Sequence, residues 1–164
     1  MHPAIYQEAV LTIRLGAALF CILAMCACDD NNTPSTPTQQ ISVNGRWTGD
    51  LSVQGVTGQT IWTLTQSGTS VTGPVTIGLP NGVIFVNGAL TGTVAGSTLT
   101  YTIAVGPSGV PTQPACTGQF AGTTTVSIAA VSTMTGRIAL VSSSCAIQFP
   151  ASNVALTKQS GLGL

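Results

Sequence analysis

From Ile41 onward the chain alternates apolar residues with Thr or Ser, as in Leu99-Thr100-Tyr101-Thr102-Ile103-Ala104-Val105. A period of two places every second side chain on one face, the signature of a half-buried strand. Thr, Val and Ile dominate these stretches, and all three suit a pleated surface. The pattern predicts eight strands at 45–53, 59–66, 70–77, 83–94, 98–105, 116–127, 133–141 and 152–158. Little chain is left between them for helical crossovers, so neighbouring strands are expected to pair antiparallel.

A short repeat runs in phase with this alternation. The sequence apolar-Thr-Gly-x-apolar occurs at Trp47–Leu51, Val71–Val75, Leu90–Val94, Cys116–Phe120 and Met134–Ile138. Its glycines, Gly49, Gly73, Gly92, Gly118 and Gly136, each fall between two inward apolar residues. Glycine permits the tight bends and close backbone approach that closing a small sheet demands. The expected architecture is therefore all-β, an eight-stranded antiparallel up-and-down β-barrel. Its connections alternate in length. Those at 67–69, 95–97 and 128–132 are short and form one end, whereas 54–58, 78–82, 106–115 and 142–151 form the other. The last two are long, which predicts a cup whose mouth lies among them.

The N-terminus has a different character. Leu15–Ala27 is an uncharged run following Arg14, too short to span a bilayer but suited to the core of a signal peptide. It ends in Met25-Cys26-Ala27-Cys28-Asp29, which resembles the bacterial lipobox. That resemblance implies cleavage before Cys28 and acylation of its side chain. Residues 29–40 hold no apolar side chain except proline, so they are expected to form a leash. The expected organisation is a lipoprotein signal peptide at 1–27, the acylated Cys28 with its linker at 28–42, the barrel at 43–158 and a tail at 159–164. The chain is then expected to be anchored to a membrane of the bacterial cell envelope, on its periplasmic or surface face. With Cys21, Cys26 and Cys28 so assigned, Cys116 and Cys145 remain, an even number in an exported domain. They fall at the mouth end of neighbouring strands, where a disulfide is geometrically reasonable.

Few side chains are left for chemistry. Beyond residue 40 the charged residues are Arg46, Asp50, Arg137 and Lys158, with neither Glu nor His. General acid–base catalysis usually needs a histidine or a tuned carboxylate, and a lone Asp50 facing outward meets neither need. No enzyme, no cofactor and no metal site is expected, since two cysteines without histidine do not complete a zinc shell. Net charge is zero and the cations are scattered, so nucleic acid is not an expected partner. A transmembrane barrel would present apolar residues outward, and here Thr and Ser hold those positions.

The aromatic residues are the remaining candidates. Trp47 opens the first strand and is expected in the core. Trp62, Tyr101 and Phe120 face inward in the predicted registers and are the candidate contacts for a small apolar ligand. Asn87-Gly88 reads as a bulge, which leaves the side of Phe85 open. Phe149 lies in the last mouth loop, as a cap or as part of a binding surface. Gly45-Arg46-Trp47 at the first strand resembles the G-x-W of the calycin superfamily, the lipocalins and avidins. The resemblance implies that Trp47 closes the barrel floor and that a base from the last strand, Lys158, packs across it. Leu64-Thr65-Gln66-Ser67-Gly68-Thr69-Ser70-Val71-Thr72-Gly73 is similar to segments of small bacterial lipocalin-like lipoproteins. The Gly-Ser that avidins carry after this tryptophan is missing, so no biotin-binding residue carries over. Two readings follow for a monomeric, non-catalytic barrel: a cup for a small apolar ligand, or a structural or protein-interaction module of the envelope.

Overall fold

The computed structural model describes residues 40–53, 56–79, 84–146 and 149–160. The signal segment, Cys28 and the linker as far as residue 39 lie outside the described residues, as do residues 161–164 of the tail. The strands are β1 (Gly45–Val53), β2 (Val56–Ser67), β3 (Ser70–Gly78), β4 (Ile84–Ala95), β5 (Thr98–Val105), β6 (Gly118–Ser127), β7 (Thr133–Ser143) and β8 (Ser152–Lys158). Each pairs antiparallel with the next, and β8 returns to β1 through Trp47↔Lys158 to Leu51↔Val154. The sheet is a closed eight-stranded up-and-down barrel, consistent with a calycin-type fold, and closure leaves no edge strand exposed.

Alternation becomes burial as expected. Along β5, Leu99, Tyr101, Ile103 and Val105 are buried, while Thr98, Thr100 and Ala104 between them face out. The strand ends differ slightly from expectation: β2 begins at Val56, β7 runs on to Ser143, and β6 starts at Gly118, so Cys116 precedes the strand. The bulge expected at Asn87-Gly88 lies elsewhere. Ile77 pairs with Val86 and Gly78 with Ile84, which makes Phe85 the extra residue. Asn87 and Gly88 stay in register opposite Thr76 and Val75.

The repeat glycines mark bends where neighbouring strands come unusually close. A Cβ on Gly49, Gly73 or Gly136 would strike the carbonyl oxygen of Ala155, Thr63 or Thr123 respectively, and one on Gly92 would lie 2.6 Å from that of Thr100. No larger residue fits such an approach. In β6 the repeat points to the wrong glycine. A Cβ on Gly118 would lie 3.2 Å from the Ser142 oxygen, whereas a Cβ on Gly122 would hit the Arg137 carbonyl and stand 2.7 Å from the Tyr101 hydroxyl. The register shift between Gln119 and Phe120 separates Gly118 from the regular pleat, and the bend falls four residues later.

Candidate functional site

Three levels of side chains fill the barrel from floor to mouth. At the floor, Gly45 adopts φ 117°, a conformation that L side chains rarely take. Its bare Cα also leaves room for Lys158, whose Cε would lie 3.2 Å from a Cβ there. The Lys158 ammonium sits 5.7 Å from the ring centroid of Trp47, the cation–π arrangement implied by G-x-W. Trp47 is fully buried and donates its indole N–H to the Val43 carbonyl at 2.8 Å. Gln66 completes the closure. Its Oε1 accepts from the Val43 amide at 2.7 Å, and its Nε2 donates to the carbonyls of Ile41 and Gly68. Gln66 thus pins residues 41–43 across the floor, a role that the Thr-Gln-Ser-Gly turn does not reveal by pattern alone.

At the waist stand two of the three candidate contacts. Trp62 and Tyr101, from β2 and β5, meet edge to face with centroids 4.9 Å apart. Both are at most 2 % exposed, and their polar atoms are satisfied internally. The Trp62 indole donates to Thr60 Oγ1 at 2.9 Å, and that hydroxyl donates to the Thr76 carbonyl. The Tyr101 hydroxyl crosses above Gly122 to donate to the Arg137 carbonyl at 3.0 Å. Burial pushes this phenol well above its ordinary range, so it stays a neutral donor. Phe120 does not join this pair. It packs higher up, edge to face on Phe149 at 4.9 Å, so Phe149 caps the lumen.

Over the mouth lies the β5–β6 loop. The β5–β6 loop folds back on itself through Ser108→Pro114, Gly109→Gly106, Gln113→Val110 and Cys116→Gln113 amide-to-carbonyl bonds. Asn87 of β4 donates its amide to the Gly109 carbonyl at 2.7 Å, which docks the loop over the opening. Val110 thereby drops into the mouth and is 2 % exposed. Cys116 and Cys145 form the expected disulfide, with Cα atoms 4.9 Å apart. It staples this loop to the β7–β8 connection, and hydrogen bonds between Thr117 and Ser144 reinforce the join.

Space for a ligand follows from this packing. A closed barrel of eight strands is an architecture that can hold one small ligand. Here the apolar pocket among Phe85, Val110, Phe120, Leu140 and Phe149 has about 20 Å³, room for about one water. A far larger space, about 820 Å³, is a shallow groove on the outside of β4–β7, bordered by Thr91, Thr93, Thr100, Thr102, Thr123 and Arg137. Asp50 is exposed on the outer face, between Gln59 and Ala155 of the flanking strands. Among the described residues no three His, Cys, Asp or Glu side chains gather to hold a metal. No family model matches the chain, and neither a curated protein nor a solved structure matches it.

Proposed function

We propose that this chain is an exported, lipid-anchored, non-catalytic barrel that serves the cell envelope as an interaction module, with its stapled mouth loop as the recognition surface. The observation that carries this reading is the filled interior. With Trp47, Trp62 and Tyr101 buried against one another's neighbours and Val110 set in the mouth, binding falls to the outer surface. Pro107, Ser108, Pro111 and Thr112 form the exposed rim of the loop, and its prolines and internal hydrogen bonds hold that rim in one shape. A preorganised, uncharged loop loses little entropy on binding. Export and acylation at Cys28 rest on the lipobox-like sequence and on the use of the two remaining cysteines as a disulfide. The test is site-specific photocrosslinking in the native host. A probe replacing Thr112 should capture a discrete envelope protein, and one replacing Ser97 at the floor should not. Equal or absent capture at both positions would end this reading.

A second reading keeps the small apolar ligand, because the pocket under Val110 is lined almost wholly by apolar side chains. Phe120 would then contact the ligand directly, while Trp62 and Tyr101 would form the base beneath it. Entry requires the mouth loop to swing out, which its disulfide opposes. Native mass spectrometry of the protein purified gently from its host separates the two: a copurified lipophile supports the cup, a clean apo mass supports the module.

A further inference from the structure

We propose that the floor end of the barrel docks on the surface of an anionic phospholipid bilayer, with the β6–β7 hairpin tip as the inserting element. This inference rests on the reading of Cys28 as the lipid anchor. The tip reads Ile128-Ala129-Ala130-Val131, and all four residues are exposed. Ile128 is 55 % and Val131 60 % accessible, among the most exposed large apolar side chains of the described residues. A short uncharged turn with two bulky aliphatic residues gains nothing from water and would be stabilised in the headgroup region.

Where the chain enters the barrel selects the lipid surface as the occupant. Gln40 donates its side-chain amide to the Gly68 carbonyl in the β2–β3 turn, so the chain arrives at the floor. From Cys28 to that point an extended chain spans at most about 40 Å. An acylated Cys28 is thereby joined to the barrel at the floor, the same end that carries the tip. The remaining exposed large aliphatic residues, Leu79, Ile84 and Val141, lie toward the mouth. Charge points the same way. Arg46 stands second in β1 and Lys158 ends β8, both at the floor, while Asp50, the one acidic residue among the described ones, stands four residues farther up β1. Two cations at the same end as the apolar tip complement phosphate headgroups. Docked so, the barrel turns its mouth loop away from the membrane.

The test uses the mature chain from its host, reconstituted in phosphatidylethanolamine–phosphatidylglycerol vesicles that contain brominated acyl chains. An environment-sensitive fluorophore is attached at Ala130→Cys in one variant and at Val141→Cys in another, with the native disulfide kept oxidised. Quenching at 130 and none at 141 is the expected result. For the mature chain carrying Cys28→Ser, made without residues 1–27, Ile128→Asp with Val131→Asp should weaken vesicle partitioning by about tenfold. A probe at 130 that stays in water while the chain remains vesicle-bound overturns the docking and leaves the anchor standing. Quenching at 141 alone overturns it too, and so does a shielded 130 in a chain that has dimerised without lipid. If mass spectrometry finds Cys28 unmodified, the anchoring reading fails separately, and the same two labels read with vesicles added to the free chain still decide the docking.

Discussion

At the floor, Val43, Trp47 and Lys158 close the barrel with side chains that stand within a few residues of a strand end, joined by turns as short as Gly68-Thr69 and Gly96-Ser97. At the mouth, a long loop must fold back on itself, insert Val110 and be fastened to a second loop by a covalent bond. Both ends bury apolar side chains, but by different means. The floor draws on packing and on one glutamine clamp, whereas the mouth draws on backbone hydrogen bonds and the Cys116–Cys145 link. Long loops carry a larger closure entropy than tight turns, so the end with long connections is the one that needs a staple.

Breaking the floor is expected to cost most. Trp47→Ala removes a fully buried indole together with its cation–π contact to Lys158 and should destabilise the fold by about 4 kcal/mol in urea unfolding. At the mouth, reducing the disulfide should cost about 3–4 kcal/mol by the loop-entropy estimate. Hydrogen exchange should then rise in residues 106–117 before it rises at the floor. Uniform exchange across both ends would erase the distinction between them. Between the two ends, Gly122→Ala should lose about 3 kcal/mol because its methyl meets the Arg137 carbonyl, while Gly118→Ala should change stability by less than about 1 kcal/mol. That pair decides which glycine bends β6.

Smaller effects sharpen the view of the waist. An unfolded tyrosine ionises near pH 10, and the buried Tyr101 resists ionisation well beyond that. Its contribution is therefore complete below about pH 10 and is lost as pH climbs above that value. Tyr101→Phe should cost about 1 kcal/mol at neutral pH through its lost hydrogen bond, and its alkaline destabilisation should be shallower than that of the parent. Thr124 Oγ1 is buried without a hydrogen-bond partner. Thr124→Val should therefore raise stability by about 1 kcal/mol, measured as a shift in the unfolding midpoint.

Much of this was legible in the residue pattern because strand periodicity is local. Leu99-Thr100-Tyr101-Thr102-Ile103 can bury one face in only one way, and connections too short for helical crossovers between such strands lead to one topology. Gly45, Trp47 and Lys158 were readable as a floor because the resemblance assigns them to it. The β6 bend was not readable, since the Thr-Gly pair at Thr117-Gly118 matches the repeat while a register shift two residues on moves the bend to Gly122. Phe85 was equally hidden: which residue is extra depends on how β3 and β4 align, not on either strand alone.

By itself the sequence determined the strand count, the antiparallel order and, away from the shifts at Phe85 and Gln119, the buried face of the strands, because alternation and turn length act over short spans. The pairing of Cys116 with Cys145 followed from cysteine parity within the exported-domain reading. Tertiary structure alone decided how far the described side chains occupy the cup. Whether Trp62, Tyr101, Phe120, Phe149 and Val110 leave a lumen or occupy it depends on side-chain volumes meeting across the barrel from five separate segments. At eight strands those volumes and the available space are nearly equal, so the outcome turns on three-dimensional packing that no periodicity along the chain records.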